Sequence, residues 1–363
     1  HTPAPCYALV MVIDNHNDTI VAHIRRGYLS PFDEAGGDPF DPQRARYRLL
    51  AGEEPVGTIG LVDGPESPRG EAATIQINVP KMLRGGIDLA FFAIDVTLAL
   101  GNHLAYAADG FGWFLDELDR HPGRLAVVRS VADIAGAHAA GRPAALLAVE
   151  HADGVEGSLH VLRSLFEIGV RSIGLTHNRS SRAADGCGEA RDGVGLTRFG
   201  EELVAEMNRL GMLVDLAHVS RSAFFHAIEV SQKPVIFSHG NARALCDHRR
   251  NLDDEQLVAL AGCGGVIGVS FVPFFIDADD PTFERLLDHV DHIRDVAGID
   301  TVGIGSDFDG GGSLLRDAGE FPRIEAGLRE RGYTDEEIRK VMGENTLRVL
   351  GEVLPDERAA HRA

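Results

Sequence analysis

Short apolar runs alternate with helical patterns along most of this chain. Eight runs of strand length stand out, at residues 12–18, 89–95, 144–150, 170–177, 212–218, 234–239, 265–271 and 301–307. They are short and of the buried type, as expected of strands covered on both faces. Helical spacing between them predicts helices at 157–168, 197–210, 253–261 and 282–296, with Thr197 and similar residues as caps. A last helix opens at Thr334-Asp-Glu-Glu337, whose ends form a capping box. Strands alternating with helices predict a parallel sheet, and eight such units predict a (β/α)8 TIM barrel. Without repeats or a clear linker, residues 1–363 read as a single barrel domain with a helical extension at about 334–351. The irregular stretch at about 28–70 is rich in Pro, Gly and Asp; loops of this length are usually functional, and it is read as a cover over the strand-end face.

Composition narrows the class. The 363 residues exceed the ~250 of a typical barrel and leave room for long loops. Lys and Arg number 35 against 55 Asp and Glu, a net charge of −20, which argues against nucleic acid and anionic membrane as partners. No run of 18 apolar residues predicts a membrane span. Residues 1–10 lack the basic start and apolar stretch of a signal peptide; Met11 reads as a native start, with a removed leader as the alternative. Cys6, Cys187, Cys246 and Cys263 show no CxxC spacing and suit a reducing, cytoplasmic compartment, with a Cys246–Cys263 bridge as the alternative.

Five of these runs, those that hold His16 and Asp18, Glu150, His177, His218 and His239, read as strands that end in a metal ligand. In a parallel barrel all strand C-termini open onto one face, so these side chains converge and suggest a zinc-type site. His16 and Asp18, two apart on a strand, point to the same side and can share one ion. His218 and His239 end adjacent strands at matching positions; the bland alternative is a pair of buried, hydrogen-bonded histidines. A two-metal site needs an anionic bridge. None of the three lysines, Lys81, Lys233 and Lys340, ends a strand, so a carbamylated lysine is excluded and Glu150 is the candidate bridge. Glu156 reads as a first-turn helix carboxylate. Asp14 is read as structural. Asp307 is placed to move protons, and Asp309 to stabilise a turn.

These residues resemble the membrane (renal) dipeptidase family of zinc peptidases. Asp14-Asn-His16-Asn-Asp18 resembles its N-terminal DxHND motif, and Asn78-Val-Pro-Lys-Met-Leu-Arg-Gly-Gly its IPRLRxGG segment. Further matches run from Ala148-Val-Glu150 through Leu175-Thr-His177-Asn, Asp215-Leu-Ala-His218, Phe237-Ser-His239 and Arg249-Arg250-Asn251 to Gly305-Ser-Asp307-Phe-Asp309. The resemblance implies two zinc ions per chain. His16, Asp18 and Glu150 would hold one; Glu150, His218 and His239 the other, with a hydroxide between them. It implies Asp307 as general acid/base and His177 as the group that polarises the scissile carbonyl. Arg250 would hold the substrate's C-terminal carboxylate; without the resemblance, Arg249-Arg250 reads as a solvated helix end. The expected partners are a small peptide substrate, with a D-residue accepted at its C-terminal position, and a second copy of the chain in a homodimer.

The chain departs from the family at two places. Ala90-Phe-Phe-Ala-Ile-Asp95 replaces a strand that often carries Gln, Trp or Ser, and Phe271-Val-Pro-Phe-Phe275 replaces one that often ends near Tyr. Both bear on specificity and not on reaction type. The alternatives are another metal-dependent hydrolase of this barrel type, acting on a cyclic amide, ester or phosphoester, and a barrel that only binds.

Overall fold

The computed structural model describes residues 11–25, 29–33, 75–99, 101–189 and 193–356. The loop expected at about 28–70 falls almost wholly outside them. The strands are β1 (Ile13–Asn17), β2 (Leu89–Asp95), β3 (Ala126–Val127), β4 (Ala144–Glu150), β5 (Val170–Gly174), β6 (Leu213–Asp215), β7 (Ile236–Gly240), β8 (Val266–Val269) and β9 (Val302–Ile304). Every pairing is parallel, in the order β1-β2-β4-β5-β6-β7-β8-β9, with β3 beside β4. All eight runs read from the sequence contribute a strand. The ninth, β3, has two residues, too few to leave a period.

The sheet closes on itself between its first and last members. Asn17 bridges Phe308 in parallel. The amide of Asp307 donates to the carbonyl of His16 at 3.0 Å, and that of Asp18 to the carbonyl of Phe308 at 2.9 Å. Strand alternation sorts the core into two parts. Ile13, Leu89, Phe91, Leu146, Leu213, Ile236 and Val266 pack together with Val349, Leu350 and Val353 of the helix Asn345–Val353. Several of these residues begin their strands, so that helix closes the end of the barrel away from the strand C-termini. The opposite parity, Val12, Ala90, Phe92, Leu147, Val214, Phe237 and Ile267, packs against the surrounding helices. Gly305 is required where β9 crosses close to β7: a Cβ there would lie 1.9 Å from the carbonyl oxygen of Ser238.

The caps form as their chemistry dictates. Thr197 caps Arg198–Leu210, Asp253 caps Asp254–Gly262, Thr282 caps Phe283–Ala297, and Thr334 with Glu337 makes the capping box. The helix read at 157–168 starts later, at Leu159, with Ser158 before it. Glu156 is therefore not a first-turn carboxylate; it ends the short turn Ala152–Val155 in left-handed conformation and lies 3.4 Å from Arg182. Cys187, Cys246 and Cys263 are free thiols, so no Cys246–Cys263 bridge forms. Among the described residues no helix is long and apolar enough to cross a membrane.

Candidate metal centre and active site

The strand-end side chains meet in one buried cluster with Glu150 at its middle. Glu150 Oε1 lies 3.0 Å from His218 Nε2, 3.7 Å from His239 Nε2 and 3.9 Å from His16 Nε2. His16 Nε2 is 3.5 Å from Asp18 Oδ2, and Asp307 Oδ2 is 4.0 Å from His239 Nε2. The donor atoms of His16, Asp18 and Glu150 all fall within 4.8 Å of one another, as do those of Glu150, His218 and His239. These are the two triads expected from the sequence. His16, His239 and Asp307 make a third such grouping, and Asp95, Glu150 and His177 a fourth.

The local backbone places these groups just beyond the strands. β6 stops at Asp215, and His218 follows with φ +68°; Asp307 has φ +60°. Left-handed conformations are uncommon in residues other than glycine and cluster where function over-determines them. Gly310 lets the turn after Asp307 pass the cluster, since a Cβ there would lie 2.0 Å from Asp18 Oδ2. Asp14 is buried below and bonds the amide and hydroxyl of Ser306, both at 2.8 Å, in keeping with a structural role. Asp309 Oδ1 accepts from the amide of Gln76 at 2.7 Å, anchoring residues 75–77 rather than facing the centre.

The donor set fits a divalent metal. His16 Nε2, Asp18 Oδ1 and Glu150 Oε1 are buried without a hydrogen-bond partner. His218 Nδ1 faces Asn178 Oδ1 at 3.0 Å, so its proton sits there and Nε2 is the bare nitrogen. That nitrogen lies 2.9 Å from His239 Nε2, whose ring is held by Ser238 Oγ at 2.9 Å. Two ring nitrogens that close, beside a buried carboxylate, can share a proton or hold one cation between them. Burial holds both rings well below the usual imidazole range, and Arg250 reinforces it, leaving them in the neutral form that binds metal. Burial opposes a charge on His16 too, but Glu150, Asp18 and Asp307 outweigh it and push that ring up to about 10. That upward shift reflects the three carboxylates gathered around the ring. Burial, opposed by His16 and reinforced by Asp18, pushes Asp307 up to about 7, where a carboxyl can both take and give a proton.

Arg250 is the second charged feature. It is 2% exposed, not solvated. Its Nη2 donates to the carbonyl of His239 at 2.9 Å, while Nε and Nη1 have no partner. It lines a cavity of about 150 Å³ with Arg249, Cys187, Ser220, Phe237 and Asn251. The rings of Phe237 and Phe275 lie 5.6 and 5.3 Å from its guanidinium carbon.

A nearby ring makes stability depend on pH. His248 stacks on Phe275 at 4.8 Å and accepts from the amide of Arg250 at 3.2 Å. Burial, with Arg250 and Arg249 adding, pushes it down to about 4. The unfolded chain, near the ordinary 6.5, then binds this proton first. Its contribution is full above about 6.5 and falls as the pH drops toward 4. Urea midpoints at pH 7 and pH 5 should differ more for the parent than for His248→Asn; equal differences would exclude this source.

The profile of the membrane dipeptidase family, peptidase family M19, matches residues 9–362. The chain belongs to this family. Membership makes it a peptide hydrolase of a metal-dependent class and accounts for the eight-unit barrel. The dipeptidase verJ of Clonostachys rogersoniana is 39% identical over 240 residues, covering 65% of this chain and 62% of that protein, so the match spans less than two thirds of its length. The dipeptidase tcpJ of Claviceps purpurea is 32% identical over 368 residues, covering 97% of this chain and 79% of its own. A metallopeptidase of Rhodobacter sphaeroides, solved with a phosphinate mimic of the dipeptide L-Ala-D-Ala, superposes with a TM-score of 0.77 at 26% identity, covering 95% of this chain and 99% of that one.

Within this M19 site, the structure brings together every residue the sequence nominated: His16, Asp18, Glu150, His177, His218, His239, Arg250 and Asp307. His177 is 15% exposed and packs against His218 with ring centroids 4.3 Å apart and planes tilted by 35°. Sequence reading missed Asn178 and Ser238, which orient the two imidazoles, because short polar residues next to a histidine carry no distinctive pattern. It also missed Asp95, although that residue ends an apolar strand as Glu150 does. In the β2–β4 register Asp95 pairs with Glu150, and both share the inward parity of Phe91 and Leu146.

Proposed function

We propose that this chain is a zinc dipeptidase that cleaves dipeptides bearing a free C-terminal carboxylate, D-residues included at that position. The observation that carries this reading is Arg250: a buried guanidinium with two unpartnered nitrogens, held by the backbone of a histidine of the metal cluster. A buried unpaired charge is costly, and a carboxylate arriving with the substrate relieves it. Three histidines and two carboxylates suit zinc. In this reading His16, Asp18 and Glu150 hold one ion, and Glu150, His218 and His239 the other. When bound, the metals supply Lewis acidity and a water acidic enough to attack at neutral pH. Arg250 fixes the C-terminal residue. Asp307 takes the proton of the attacking water and returns it to the leaving amine. His177, at the open edge of the cluster, faces the charge that develops on the scissile carbonyl oxygen. The phosphinate mimic of L-Ala-D-Ala in the Rhodobacter structure supports a dipeptide with a D-residue as substrate.

The test is a screen of zinc-loaded protein against dipeptides with L- and D-residues at the C-terminal position. Efficient cleavage of amidated dipeptides or longer peptides would sink the reading. Elemental analysis of protein purified without chelator should give about two zinc ions per chain. A firm value of one with full activity would refute the binuclear arrangement.

A further inference from the structure

The proposed reaction leaves one acidic side chain of the cluster without a task. Asp95 is fully buried at the end of β2. Its Oδ1 accepts from the amide and hydroxyl of Thr97 at 2.8 and 2.6 Å, which fixes the carboxylate plane. Its Oδ2 has no hydrogen-bond partner. The His177 Nε2 atom lies 3.8 Å from it, too far for a hydrogen bond. A carboxylate oxygen kept buried and unpaired is costly, so a cation that arrives with the ligand is called for.

Its position indicates which cation. In the sheet order β2 and β7 stand four places apart in a ring of eight. Asp95 ends β2, and Arg250 is bonded to His239 of β7. A carboxylate with one unpartnered oxygen and a guanidinium with two unpartnered nitrogens therefore stand on opposite sides of the barrel mouth, with Glu150 and the histidines between. A dipeptide carries an ammonium at one end, a carboxylate at the other, and its one peptide bond in the middle. We infer that Asp95 receives the free α-ammonium group of the substrate, so that the site reads both ends of the dipeptide. This rests on the dipeptidase reading above. Of the two side chains grouped with Asp95, Glu150 and His177, the latter is the one solvent reaches more, so the ammonium enters beside His177. The same oxygen could otherwise serve as a further metal ligand, or orient His177; the experiment separates these.

The substrates are alanyl-alanine and propionyl-alanine, which has the same shape without the amine. Zinc-loaded parent should cleave propionyl-alanine at least about 30-fold less efficiently in kcat/KM, the lower range for losing one partner of a buried charge pair. Asp95→Asn should lower kcat/KM on alanyl-alanine by a similar factor, chiefly through KM, with zinc content unchanged. The two changes together should be clearly less than additive. Loss of zinc from Asp95→Asn would make the residue a ligand and overturn the assignment. An equal loss on both substrates, carried by kcat, would make it a positioning residue for His177 and overturn it too. A parent enzyme that cleaves both substrates equally well removes the ammonium site alone. One that cleaves no dipeptide removes the dipeptidase reading as well.

Discussion

Asp307→Asn is expected to lower kcat by about 10²–10⁴ while the protein keeps its metal, the range typical for loss of a positioned proton shuttle. Asparagine matches the shape of the carboxyl and can occupy the same left-handed position at φ +60°. The backbone bond from residue 307 to the carbonyl of His16 does not depend on the side chain. What the variant lacks is a carboxylate that can take a proton and return it. Steady-state kinetics with parallel metal analysis decides the matter. A kcat close to that of the parent would shift the role to Asp309, although that side chain is engaged with Gln76. Loss of metal would instead make Asp307 a ligand, a use its grouping with His16 and His239 permits.

The second large effect is expected at Arg250. Removing one partner of a buried charge pair costs ~2–5 kcal/mol. At ~1.4 kcal/mol per tenfold, that is roughly a 30- to several-thousand-fold loss in kcat/KM. Amidating the C-terminus of a good dipeptide, or Arg250→Ala, should each reach at least about the lower figure. Combined, they should be clearly less than additive, because both remove the same contact. Additive losses would mean that the guanidinium meets some other part of the substrate. Arg250→Lys should restore little: an ammonium lacks the fork that donates to the carbonyl of His239 and still presents two nitrogens to a carboxylate.

The barrel was legible because its strands are apolar runs of the right length with helical patterns between them, and both signals are local. The residues nominated for the metals were legible for a topological reason: a His, Asp or Glu at the end of such a run has only one face to go to. Burial was not legible at Arg250. Two adjacent arginines look solvated in one dimension, and only packing shows Arg249 exposed and Arg250 at 2%. Nor was the second layer around the site. Asn178 and Ser306 act across contacts of 40 and 292 residues in sequence, and no local period encodes them. Asp95 ends its strand as Glu150 does, but in sequence it is one position of the β2 segment that departs from the family pattern, and only the register beside Glu150 shows it at the cluster. Strand ends were overread, since the chain turns away from the sheet at the ligands: the run read to residue 218 is a strand only to Asp215.

The seam between Asn17 and Phe308 also sets an order of events in the life of the chain. His16 and Asp18 leave the ribosome first, whereas Asp307 follows almost 300 residues later, and the helix Asn345–Val353 that fills the far end of the barrel comes later still. Contacts this distant in sequence make folding slow. A half-made chain thus exposes candidate metal-binding side chains without the shape that discriminates among metals, and the site is complete only once Asp307 has joined His16 and Asp18. Metal that binds the closed barrel better than the open chain then favours closure by mass action. Metal supply should consequently govern how much active enzyme accumulates, as well as how fast each molecule works.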